Sequence, residues 1–405
     1  MKNKVAYTTV PDYNLNSVKD ALAKIFSSLG YDKNNPLGNI IKPGMNVFIK
    51  PNWVASKWRE SCPHKDNLYC VITHPNVIEA VADYVDIALN GKGKIVIGDN
   101  PSIDADFNEL LNTCEIEKIK KKYSVPCEIL DLRPLVCNNL KDYGDRNKMQ
   151  KQTGDPKGYT EVNLGKDSLF NNVNSSLFRG VFKQRKETIE SHKKKNQLYT
   201  FAKSIYDADV YISIPKMKTH HKAGVTLNLK GLVGTIGKKN QLIHWRMGFP
   251  LLGGDEYSNI YNWIRGTFFS KIKSRGSWHG NDTIWRMVVD LYEAFRQKKR
   301  NYFSVIDGIL AGQGNGPFCP HSFKANTLIA GEDLLAVDMV TTRFMGFSYE
   351  HIPYLNYLSK KYLNLDNISI YNGGIEEKEY FNKNKIFFCF EPPSNWKNIQ
   401  ITEDK

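Results

Sequence analysis

The sequence predicts an α/β fold with a largely parallel central sheet flanked by helices, and three observations carry that expectation. Apolar runs at 44–50, Lys94–Asp99 and Val210–Ile214 each end in polar residues, the pattern of strands buried on both faces. Between the first two, Val77, Ile78, Val81, Tyr84, Val85 and Ala88 recur at helical spacing after Pro75, so strand, helix and strand follow as in a βαβ unit. At 405 residues with 41% hydrophobic content the chain can bury a sizeable core.

The first strand follows a Pro-Gly turn, precedes Pro51 and delivers Lys50, Asn52 and Trp53. The next helix takes Thr73 or His74 as its cap and stops before Gly91. The second strand ends in Asp99, Asn100, Pro101 and Ser102. A helix at 107–122 and a strand at 127–132 follow, then an insertion over about 138–200, whose 138–165 part lacks an apolar period and is assigned no chemistry. The third strand, Val210–Ile214, runs into Pro215-Lys216, and residues 245–282, with tryptophans, glycines and basic residues, read as a lid. Residues 284–295 are an amphipathic helix with Asp282 or Thr283 as N-cap. A fourth strand at 302–309 carries Asp307 into the turn GQGNGP at 312–317, a fifth spans 326–330, and a helix at 334–345 holds Asp338 in its first turns, where a negative charge is favoured. Alternating residues at 368–371 and 385–390 predict C-terminal edge strands, in an extension over 356–405 that follows the 1–355 core.

Lys plus Arg exceed Asp plus Glu by 56 to 42, a net charge of +14, which favours anionic partners. The N-terminal residues lack the apolar stretch of a secretory signal and no apolar window is long enough to span a bilayer, so a cytoplasmic protein is expected. Seven scattered cysteines without a CxxC predict neither a disulfide framework nor an iron-sulfur cluster.

In a parallel sheet ligands collect at the carboxyl ends of strands, where Lys50, Asn52, Asp99 and Ser102 fall. Residues 210–244 are the densest stretch in lysine, histidine and glycine. Lys216, Lys218, Thr219, Lys230 and Lys238 there suit an anion through charge and directional hydrogen bonds, although no Walker loop is present. His220 is the candidate for proton transfer, with His244 across the loop; on an extended backbone only one of His220 and His221 can face a pocket. Asp307, Asn315, Asp99 and Asp338 can orient a substrate or hold Mg2+. Cys62, His64, Cys70 and His74 have metal-ligand chemistry at a spacing that fits no standard site, and read as buried cysteines and a capping histidine.

Six segments together, KPNW at 50–53, THP at 73–75, GDNPS at 98–102, SIPKMKTHHKAGVTLNLKGLVG at 213–234, DGILAGQGNGP at 307–317 and LLAVDMVTTRFMGF at 334–347, resemble the DUF362 family over about residues 40–355. The resemblance implies the fold and assigns no general activity. Many members carry iron-sulfur cysteine clusters after the core; residues 356–405 hold no such cluster.

The functional expectation is an enzyme acting on a small phosphorylated or carboxylated metabolite, in a biosynthetic step such as surface-glycan or secondary-metabolite assembly, with Lys216, His220 and Asp307 catalytic. Two alternatives stand: a nucleic-acid binder using Trp245-Arg246, Trp263, Arg265 and Trp278-His279, and a metal- or redox-linked protein.

Overall fold

A computed structural model describes residues 3–270, 275–382, 385 and 387–401. Its organising element is a sheet whose strands include β1 (Asn3–Thr9), β2 (Asn46–Pro51), β3 (Lys94–Asp99), β4 (Cys127–Asp131), β5 (Val210–Ile214), β6 (Lys216–His220), β7 (Asn301–Gln313), β8 (Thr327–Gly331), β9 (Ile368–Asn372) and β10 (Ile375–Glu376). The spatial order is β10-β9-β1-β8-β7-β5-β2-β3-β4, with β6 also pairing β7. From β7 to β4 every pairing is parallel; β8 runs antiparallel to both neighbours, and β9 lies parallel to β1.

Helices cover both faces. α1 (Leu15–Leu29) and α2 (Pro75–Leu89) bury Val18, Leu22, Val77 and Val81 against one side. On the other, α5 (Ile284–Arg296) and α6 (Leu334–Phe344) bury Met287, Leu291, Val337 and Val340. Between these helix pairs in the chain lie α3 (Phe107–Cys114) and α4 (Leu227–Gly231).

Local chemistry explains the boundaries. His74 caps α2, its side chain accepting from Asn76 N, with Pro75 in the first turn and Asn90 left-handed at φ 47° beyond the end. The helix expected over 107–122 breaks at Glu115, which is left-handed and hands over to a 3-10 turn at Ile116–Lys121. α5 starts as expected, but its capping oxygen belongs to Asn281, which accepts from Thr283 N and Ile284 N. Residues 387–390 form no strand, and residue 386 of that expected strand lies outside the described residues, as do 271–274 of the expected lid. β1 and α1 were not expected from the sequence.

The 138–200 segment is tied to the core through Asp290 on α5. Its buried carboxylate accepts from Ser168 Oγ, Leu169 N and Tyr199 Oη, and burial pushes its pKa up to about 7.

A second buried carboxylate joins four elements. The sheet register sets Lys216 on β6 directly opposite Asp307 on β7, and the two form an ion pair at 2.5 Å with both side chains fully buried. Tyr13 Oη donates to Asp307 Oδ1 at 2.9 Å, His74 N donates to Oδ2 at 2.9 Å, and the Tyr13 and His74 rings stack. Removing one member of such a pair leaves a buried charge unpaired. Lys216→Met therefore lowers unfolding stability by about 3–5 kcal/mol, and Lys216→Met with Asp307→Asn recovers part of that loss; urea unfolding of both variants measures it, and a single variant as stable as wild type contradicts the pairing.

Candidate functional site

The carboxyl ends of β2 and β3 open onto a cavity of about 420 Å³. Lys50 Nζ lies 2.7 Å from Asp99 Oδ1, and Asp99 also accepts from Trp53 N and Asn100 N. A Cβ at Gly234 would collide with Asp99 Oδ1 and Lys50 Nζ, so the chain after α4 can pack onto this pair only with glycine there.

Cations dominate the wall: Lys50, Lys218, Lys222, Lys230, Lys239, Arg59 and Arg275 line the cavity, and Asp99 is the one acidic lining residue among those described. Lys50, Arg59 and Arg275 are paired with Asp99, Asp104 and Glu256. The remaining four lysines have no carboxylate at ion-pair distance among the described residues. Burial, with like charges nearby, pushes Lys218, Lys222 and Lys239 down to about 7 and Lys230 to about 8. Lys218 Nζ donates to Val71 O at 2.6 Å, and Lys239 Nζ to Pro101 O at 2.8 Å. The Lys222 ammonium has no hydrogen bond or ion pair among the described residues and lies 4.4 Å from the Trp245 ring. Three polar atoms of the wall, Asn52 Nδ2, Asn100 Oδ1 and Trp245 Nε1, are buried without a hydrogen-bond partner.

Three histidines complete the wall, all with pKa values held below the usual 6.5 by burial and neighbouring lysines. His220 Nδ1 accepts from Lys222 N at 3.0 Å, which leaves its proton on Nε2 and makes it a hydrogen-bond donor. His244 Nδ1 sits 2.8 Å from Leu242 O, so its proton is on Nδ1 and Nε2 keeps a lone pair. His220 and His221 both line the cavity, contrary to the alternation expected of an extended chain. The reason is that β6 ends at His220 and the next residues turn, so the two rings meet edge to face with centroids 5.3 Å apart.

Of the residues predicted from sequence, Lys50, Asn52, Asp99, Ser102, Lys218, His220 and Lys230 line this cavity, while Lys216, Asp307, Thr219, Asn315 and Lys238 do not. Lys216 and Asp307, expected to be catalytic, are joined in their mutual ion pair away from this cavity. Thr219 faces the other way along β6 and donates to Gly314 O. Asn315 is exposed and accepts from Ser394 N. Lys238 is exposed and pairs with Glu161. Sequence reasoning left Arg59, Lys222, Lys239 and Arg275 out of the site. Lys222 and Lys239 lay in the predicted stretch, whereas nothing local marks Arg59 or Arg275.

Asp338 belongs to α4 more than to its own helix. Fully buried, it accepts from Asn228 N, Asn228 Nδ2 and Leu229 N at 2.8–2.9 Å, fixing the turn that carries Lys230. The aspartates expected to share Mg2+ are thus each engaged with different partners, and no three His, Cys, Asp or Glu among the described residues are grouped to hold a metal.

Cys62, His64 and Cys70 all meet the segment 318–321, while His74 caps α2. Cys62 is bonded to Cys319, a disulfide the scattered cysteines did not predict because the two are 257 residues apart. His64 stacks on His321 at 3.6 Å, and Cys70 is a buried free thiol. No helix among the described residues is long and apolar enough to cross a membrane. The tryptophans proposed for nucleic acid form no exposed stripe: Trp245 lines the cavity, Trp263 packs on Phe249 and Phe268, and Trp278 Nε1 donates to Asp255 O.

The family described as a domain of unknown function, DUF362, matches residues 47–151 and 144–343. The chain belongs to the DUF362 family. A thylakoid-associated protein of Synechocystis sp. is 23% identical to this DUF362 chain over 354 residues, covering 87% of this chain and 78% of the relative. Among solved structures, the lactate racemase apoprotein from Thermoanaerobacterium thermosaccharolyticum aligns over 84% of this chain and 57% of its own length, with 11% identity and a TM-score of 0.37.

The depressed lysines make stability depend on pH. A lysine at about 7 when folded and 10.5 when unfolded leaves the unfolded chain with more bound protons between these values, so stability rises with pH there. Between about pH 7 and about pH 9 the urea midpoint of the ligand-free protein rises, and it rises less in Lys222→Met; equal slopes in the two proteins count against the depressed lysine.

Proposed function

We propose that this DUF362 protein is an enzyme that binds a small polyanionic metabolite, phosphorylated or carboxylated, at the carboxyl ends of β2, β3 and β6. The observation that carries the reading is the lining itself: four lysines without a carboxylate partner converge on one cavity beside three unsatisfied polar atoms. Burying like charges together is unfavourable unless an opposite charge joins them. Phosphate or carboxylate oxygens supply that charge and accept the lysine and His220 Nε2 hydrogens.

Within this reading Lys230, Lys218 and Lys239 neutralise the anion, while Asn52 Nδ2 and His220 Nε2 donate directional bonds. Burial keeps His220 neutral, so the role of proton carrier falls to Lys222. A side chain near pKa 7, held against an indole ring, can gain and lose a proton at neutral pH. His244 Nε2 is the second acceptor facing the same space.

The test is calorimetric titration with inorganic pyrophosphate, using a neutral disaccharide as control. Pyrophosphate binds, the disaccharide does not, and Lys230→Ala weakens pyrophosphate binding by about tenfold or more, the worth of a charge-assisted hydrogen bond. Binding at about pH 8 takes up protons, because the anion raises the lysine pKa values; titrations in buffers of different ionisation enthalpy measure the uptake. Indifference to every phosphate and carboxylate probe sinks the reading.

A further inference from the structure

Beside the cationic cavity lies a second one of about 350 Å³, and the two share Ile103 and Lys239 as common wall. Both linings carry cations, here Arg146, Lys151, Lys238 and Lys239 with Glu187, but the two differ in how far their buried polar groups are partnered. The second cavity has an apolar floor of Ile103, Pro134, Leu135 and Phe182. Apart from the exposed Lys151, its polar side chains have partners. Arg146 pairs with Glu187 and Lys238 with Glu161. Gln152 Nε2 donates to Asp131 Oδ2 and Arg133 O, Tyr159 Oη to Leu132 O, and Thr200 Oγ1 to Glu161. Asn240 Nδ2 donates to Gln184 O while its Oδ1 accepts from Phe182 N. None of the buried unpartnered side-chain atoms among the described residues belongs to this lining.

A cavity with an apolar floor whose buried polar groups are internally satisfied offers little to a polar ligand at that floor, and favours an apolar occupant there. The neighbouring cavity, with its unpaired lysines and three unpartnered polar atoms, favours the reverse. Lys239 stands between them with its ammonium turned to Asn100 O and Pro101 O, so the partition on that side is its aliphatic stem.

From this contrast we propose that the two cavities are subsites for one amphiphilic ligand, a phosphate- or carboxylate-bearing anion carrying an apolar group of about ten carbons. The assignment rests on the anion reading above and adds the class of the other end. The anionic end lies among Lys218, Lys222 and Lys230; the apolar end passes Ile103 and packs on Leu135 and Phe182.

Calorimetry with two probes, inorganic pyrophosphate and geranyl diphosphate, tests it on the full chain. Geranyl diphosphate binds at least about tenfold tighter than pyrophosphate, a modest share of what burying that many methylene groups provides. Leu135→Trp fills the second cavity only; it cuts the advantage to about threefold or less while pyrophosphate binding, which also reports correct folding, stays within about twofold. Phe182→Ala, which removes apolar wall without adding bulk, also lowers the advantage and serves where the tryptophan variant does not fold. Equal binding of the two probes, or an advantage that survives both substitutions, overturns the apolar subsite and leaves the anion site standing. Failure of pyrophosphate itself to bind removes both.

Discussion

Asp99, Asp307 and Asp338 are buried carboxylates, the first within the polar wall and the other two gripping the segments behind it, and the shape of the cavity depends on them. Asp99 holds Lys50 and the backbone of Trp53 and Asn100. Asp307 holds Lys216, Tyr13 and the start of α2. Asp338 holds the first turn of α4. Charge-assisted hydrogen bonds of this kind are short and directional, so they can keep a lysine-rich segment folded back over the strand ends where mutual repulsion would otherwise open it.

That repulsion is offset by hydrophobic burial on both faces of the sheet. α1 and α2 on one side and α5 and α6 on the other enclose β2, β5 and β7, whose central side chains are fully buried. A scaffold with so much apolar area removed from water can tolerate several unfavourable groups at one place. Such a place is a reservoir of binding energy for a ligand of opposite charge, since ligand binding relieves the same repulsion the fold sustains.

Burial also changes which groups can act. Imidazoles ordinarily titrate near neutrality, but among lysines and out of water His220, His221 and His244 stay neutral, while lysines ordinarily charged to high pH fall to the neutral range. A reading based on reference pKa values alone therefore favours histidine as the proton carrier, and the environment favours Lys222.

Much of the fold was legible because its signals are local. Pro51, Pro75 and the Asn90-Gly91 stop bracket β2 and α2, and β3 and β5 are continuous apolar runs whose bounds follow that pattern. β1 escaped notice because its partners, β8 and β9, come from the far end of the chain. The sequence by itself determined the parallel sheet, its strand-end residues and the positive character of the site. Only the tertiary structure decided that register sets Lys216 against Asp307, that a turn after β6 brings His221 in beside His220, that Arg59 and Arg275 join the wall, and that Cys62 meets Cys319. Periodicity and capping act between residues a few positions apart, whereas these contacts depend on how distant strands align and which faces the helices cover.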